Sequence, residues 1–277
     1  MLSVSASFSC AGAEKKEMMA SEIIKLVRKG NPVQVIDKII VGDLDFTTGC
    51  EPFIVNGNLL QCEILSNLFF EQCVFMGNVT SNSKLKNVPV KSCYRNNIAF
   101  TGCDFRGEVD FDGAVVFGMV NFSRSVFREK VNFNNMAVWA KDSYFQEVKA
   151  EKEFAMIYAS FAGNLYFQNS VFSGNSSFQE TSVKGTLMFN YCAFEDKAGL
   201  DMTETLGNAV FNNAKFAKTA NFSSSRFMNK ANFVNVTFEE QANFGKAFFL
   251  NTANFEGVNR EKLILRDAVF LNNKIFE

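Results

Sequence analysis

The chain contains no histidine. That removes Ser-His-Asp and Cys-His catalysis, and imidazole metal sites with them. It also lacks a Gly-rich nucleotide loop, a Cys-x-x-Cys pair and any apolar run of transmembrane length. Charge of one sign is missing too. The 28 Lys and Arg residues stand against 29 Asp and Glu, a net charge of −1, with no long single-sign block. A nucleic-acid binder wants a basic face, so no nucleic-acid partner is expected. Tryptophan occurs once and tyrosine five times, while phenylalanine occurs 33 times in 277 residues. That bias needs a cause.

The cause is a repeat. Phe211, Phe216, Phe222, Phe227, Phe233, Phe238, Phe244, Phe249 and Phe255 alternate steps of five and six residues, a true period of eleven. A short recurring period marks a stacked architecture. Two residues before each ring sits a small side chain: Ala220, Ala231, Ala242 and Ala253 in one half-repeat, Ala214, Ser225, Val236 and Ala247 in the other. Directly before Phe222, Phe233, Phe244 and Phe255 stands an asparagine. Strand geometry puts i and i−2 on one side and i−1 on the other. The large and small apolar residues therefore point inward, and the asparagine points out. Five-then-six spacing fits neither a helix nor a flat strand. It fits a coil that turns a corner at each step, two units (twenty-two residues) making one four-sided turn, with the extra residue of the longer half absorbed at a corner.

This A-N-F pattern resembles the Phe-rich variant of the pentapeptide-repeat family, clearly over Phe100 to Phe255 and more loosely from Asp43 to the C-terminus. The resemblance implies an all-β solenoid, a right-handed quadrilateral β-helix with Phe and Ala inside, and no catalytic residues. It also implies a choice of roles: scaffolds on the one hand, DNA-mimicking topoisomerase binders on the other. Near-neutral charge opposes the mimic.

In chain order, residues 1–13 read as a flexible N-terminus and 14–30 as a capping helix. Residues 31–277 read as a single solenoid, irregular over 33–99 and regular over 100–276. Met19, Ala20, Ile23, Ile24 and Val27 form the helix's apolar stripe, ended by Gly30-Asn31-Pro32. Laid over the first coil, it hides core and strand edge; the alternative is a membrane-surface or partner helix. Val33 and Val35, Ile39 and Val41, then Leu44 and Phe46 read as the first inward pairs, followed by Ile64, Phe70, Phe75 and Leu85. Polar Ser81 to Lys91 reads as a loop off the coil, its Lys84, Lys86 and Lys91 a solvated face. The register Phe100, Phe111, Phe122, Phe133 shifts by one residue before Phe145, which places an insertion near Trp139. After Phe255 the phase loosens, and the last coil edge is a candidate for end-to-end pairing.

An odd seven cysteines argue against a closed disulfide framework. Cys62, Cys73, Cys103 and Cys192 occupy the small inward position, as buried thiols often do. Free thiols fit a reducing, cytoplasmic setting; the alternative is lipidation at Cys10 in Ser7-Phe8-Ser9-Cys10. Asp43 with Asp45, and Glu195 with Asp196, read as turn residues and not as acid–base pairs. No catalytic, cofactor-binding or metal-ligating residue is predicted.

One departure stands out. Through the middle of the repeat the outward i−1 position reads Tyr144, Ala155, Tyr166, Ser177, Met188, Gly199, Val210 before asparagine returns. Tyr144, Tyr166, Met188 and Val210 lie twenty-two apart, one per coil on one outer face. A contiguous exposed apolar patch suggests an interface, for an unidentified protein partner or a homodimer; the alternative is that another segment covers it.

Overall fold

The computed structural model describes residues 15–276. Phe rings need a dry interior, and two-residue strands cannot supply one alone, so the chain coils and stacks. Four sheets of 10, 12, 11 and 10 strands run the length of the stack. The faces of one regular coil are Val120–Asn121, Val126–Phe127, Val131–Asn132 and Ala137–Val138, here called the first to fourth faces. Each strand pairs in parallel with the strand one coil away, as in Val109 with Val131 and Leu187 with Ala209. The twenty-two-residue coil is therefore a register and not only a sequence period.

The two residue types of the repeat have separate jobs. The nine repeat rings from Phe211 to Phe255 are buried, and so are the small partners two residues before them, while the outward Phe248 is half-buried. Rings of successive coils stack: Phe222 on Phe244 at 4.6 Å and 0°, Phe211 on Phe233 at 4.9 Å and 2°. The asparagine acts at the corner. Oδ1 of Asn221, Asn243 and Asn254 accepts the backbone N–H of Ser223, Gly245 and Glu256, at 3.1, 2.9 and 2.9 Å. This Asx bond satisfies a donor where the chain leaves the sheet. Two residues past each such ring the backbone enters the left-handed region, at Arg124, Asn135, Asn213, Asn235 and their equivalents. The ring residue's carbonyl then accepts the N–H three residues on, as Phe211 does from Ala214 at 2.9 Å, which closes a type II turn.

Side chains at left-handed corners carry a cost of about 1–2 kcal/mol per residue. Met202, at φ 55°, pays it with an exposed aliphatic side chain. Met202→Gly is expected to raise stability by about 0.5–1 kcal/mol, once the greater freedom of unfolded glycine is subtracted. A urea midpoint that falls instead would mean that the Met202 side chain contributes packing to the corner.

The N-terminal end differs from expectation in specific ways. The predicted helix begins later, because Lys16–Met19 is a strand (β1) and only Ala20–Arg28 is helical (α1). β1 pairs in parallel with Lys38–Val41 (β3), so the segment covers a sheet edge directly. Met19 is consequently exposed and leaves the apolar stripe, while Ala20, Ile23, Ile24 and Val27 are buried in the core. The predicted stop is present: Gly30 N–H donates to Val27 O at 2.9 Å and Asn31 N–H to Leu26 O at 3.2 Å, with Gly30 at φ 69°. Val33–Ile36 (β2) starts the first face and Leu44–Asp45 (β4) the third. On β3 the inward residue is Ile40, and Ile39 and Val41 are only half-buried. The left-handed Asp37 before β3 shifts the alternation by one.

Residues 33–99 are irregular because two coils carry excursions. Phe53–Asn56 (β5) and Leu59–Ile64 (β6) form one hairpin before Leu68–Glu71 (β7), Val74–Phe75 (β8) and Val79–Thr80 (β9). Asn82–Leu85 (β10) and Val88–Tyr94 (β11) form the second, where a loop was expected. Ile64, Phe70 and Phe75 are buried as predicted; Leu85 is exposed, because it lies on a hairpin beyond the coil. Cys50 and Cys62 are joined by a disulfide, their Cα atoms 5.6 Å apart. This corrects the reading of Cys62 as a free thiol: the hairpin pairs Gln61 with Phe53 and so returns Cys62 toward Cys50, three residues before β5. Cys73, Cys93, Cys103 and Cys192 are buried and free, and Cys10 lies outside the described residues.

Candidate interaction face

The insertion is where the repeat placed it. Val116 pairs with Val138, but Val138 pairs with Phe161, one residue further on, and from Asp142 with Asn164 the step of twenty-two returns. Ala140 is thus the extra residue, at the corner between Trp139 and the strand Asp142–Tyr144.

That strand starts the ladder. Tyr144 pairs with Tyr166, Tyr166 with Met188, and Met188 with Val210, all pointing outward from the first face. The two tyrosine rings stack at 5.5 Å and 19°. Tyr166 Oη donates to Asp142 Oδ1 at 3.1 Å, and Asn164 Nδ2 donates to the same oxygen at 2.8 Å. Burial, reinforced by Asp142, pushes both phenols above their ordinary range, so they stay neutral at physiological pH. Gln168 Nε2 donates to Met188 Sδ at 3.0 Å. All four ladder residues are half-buried. Each also forgoes the Asx bond that Asn121 and Asn254 make at this position of the first face, a local rule broken four times in line.

A second ladder was missed by the sequence reading. The residue just past the fourth-face strand reads Leu65, Arg95, Phe117, Trp139, Ala162, Lys184, Leu206, Met228, Leu250, Leu271, each N–H from Arg95 onward bonded to the coil before. Phe117 and Trp139 stack at 6.3 Å and 13°, and the Arg95 guanidinium lies 4.7 Å from the Phe117 centroid. The signal was present: the residue after each inward side chain, taken every twenty-two. It escaped notice because Ala162 and Lys184 interrupt it. Those two coils carry Tyr166 and Met188 on the adjoining first face, so the apolar band passes from one ladder to the other.

The groups considered for chemistry are used structurally. Asp43 Oδ1 accepts Asn78 N–H at 2.8 Å, Asp45 Oδ1 accepts Thr47 N–H at 2.9 Å, and Asp196 Oδ1 accepts Lys197 N–H at 2.8 Å. Cys192 donates to Phe167 O at 2.9 Å, and burial pushes its thiol up to about 12. Cys103, also raised by burial, hydrogen-bonds the thiol of Cys73 on the adjacent coil and thereby lowers it. Among the described residues no group of His, Cys, Asp and Glu could hold a metal ion, and no helix is long and apolar enough to cross a membrane. Comparison with family models, with curated proteins and with solved structures gives no match.

Proposed function

We propose that the protein acts without catalysis, as a rigid β-solenoid whose Tyr144–Val210 face takes another protein surface, with a second copy of the chain as the first partner to test. The observation that carries this reading is the ladder itself. Four consecutive coils exchange a useful corner hydrogen bond for an outward apolar group, in register, beside an exposed corner ladder of the same character. The core does not need those groups, since the asparagine coils on the same face stack equally well. A preformed face loses little conformational freedom on binding, which suits a scaffold. Its likeness to the pentapeptide-repeat pattern points the same way.

Light-scattering mass after gel filtration tests it on wild type and on Tyr166→Glu/Met188→Glu. The expected result is a wild-type dimer and a folded monomeric variant, because two carboxylates in a desolvated apolar contact are strongly unfavourable. Dimers in both would move the contact elsewhere, and monomers in both would overturn self-pairing.

A further inference from the structure

The two hairpins are not separate decorations. Their strands join in the order β5-β6-β11-β10, a parallel central pair (Leu60 with Val90) flanked by antiparallel edges. This four-stranded wing leaves the solenoid wall from the fourth face, and both of its turns lie at the same end. The second turn is a two-residue Lys86-Asn87 connection with both residues left-handed.

The wing tip has a composition unlike the rest of the chain. Phe53, Ile54, Val55 and Leu85 are exposed, Ile54 to 73%. Neither 52–62 nor 81–92 contains an Asp or Glu, while the second segment contains Lys84, Lys86 and Lys91, in a protein of net charge −1. Lys91 pairs with Asp112 at the wall. Lys84 and Lys86 are exposed and have no ion-pair partner among the described residues. The Cys50–Cys62 disulfide closes the segment that carries β5. Cationic groups and bare apolar groups are thus carried on one tethered wing, the apolar ones mainly along its β5 edge and the lysines along its β10 edge and turn.

The geometry points to an anionic lipid surface as the occupant. Phe53 and Ile54 are neighbours in a strand and face opposite sides of a thin sheet, yet both are exposed. A protein surface could cover one side; a headgroup layer receives a tip from all sides. The apolar side chains enter the headgroup and acyl boundary, and Lys84 and Lys86 meet the anionic headgroups, the combination that holds peripheral proteins at membranes. This does not depend on the Tyr144–Val210 face, which lies on a different sheet.

Co-sedimentation of the full chain with phosphatidylcholine vesicles, and with vesicles that also hold phosphatidylserine, tests the inference at low and high salt. Wild type is expected to bind the anionic vesicles and to release at high salt. Lys84→Glu/Lys86→Glu is expected to bind about tenfold more weakly or worse, and Ile54→Asn/Leu85→Asn to lose the interaction as well. All four positions are exposed, so unchanged circular-dichroism melting will confirm that the variants fold. Absence of wild-type binding to anionic vesicles, or equal binding by wild type and both variants, overturns the membrane assignment and leaves the wing to an acidic protein ligand. Binding lost only in the lysine variant overturns the insertion of the apolar tip.

Discussion

Phe233→Ala is expected to lower stability by about 3–5 kcal/mol, the cost of emptying a large aromatic site in a core that cannot collapse around it. Phe233 is fully buried and central to the aromatic spine. It stacks on Phe211 and Phe255 at 4.9 Å on either side, and meets Phe222, Phe227 and Phe244 edge-on at 5.6, 5.9 and 5.2 Å. Five ring contacts disappear with one side chain. The rungs above and below are fixed by backbone pairing, Ala231 with Ala209 and with Ala253, so they cannot close the gap. Because a solenoid's stability is close to a sum of nearest-neighbour terms, the loss should appear as early unfolding of the C-terminal coils. Urea titration followed by circular dichroism reads both effects; a midpoint within error of wild type would remove Phe233 from the core.

Gly163→Ala should cost about 3 kcal/mol or more, by a different route. A Cβ there would lie 1.8 Å from Lys141 O and 2.3 Å from its carbonyl carbon. The obstacle is backbone, so no rotamer change relieves it. The coils must part, which strains the Asn164 N–H to Lys141 O bond of 2.7 Å; overpacking and a weakened buried hydrogen bond then add. Gly185 and Gly207 repeat the contact at the same corner one and two coils further on. Gly199 is the control. Its nearest neighbour would be Ser177 Oγ at 3.5 Å, so Gly199→Ala should be neutral or gain about 0.5 kcal/mol. Equal urea midpoints for the two alanine variants would contradict the close approach at Gly163.

What could be read from the sequence follows from where its information was redundant. Each inward ring from Phe100 to Phe255 is reinforced by its neighbours in phase, so the coil length, the buried set and even the extra residue beside Trp139 were legible. Where one residue could change the phase, reading failed. Asp37 adopts a left-handed conformation and moves Ile40 inward in place of Ile39. Lys16–Met19 has helical amphipathicity, but an open sheet edge on β3 offers it backbone pairing, and tertiary context wins. The wing strands pair outside the repeat, so nothing periodic announced them, and Leu85 was placed inside for its apolarity alone. The outward ladder of Tyr144, Tyr166, Met188 and Val210 was legible as a broken asparagine rule. The corner ladder was not, because two of its rungs are polar or small.

The measurement that tests the central claim most directly is quenching of Trp139 fluorescence across a dilution series. Trp139 is the single tryptophan, 59% exposed, at the corner leading into the strand that carries Tyr144. If the Tyr144–Val210 face is the contact between copies, Trp139 should lose access to a soluble quencher and shift to the blue as the dimer forms. Tyr166→Glu/Met188→Glu should stay open to the quencher at every concentration. A wild-type dimer in which Trp139 is quenched as readily as in the monomer would contradict the account, since the copies would then meet somewhere other than this face.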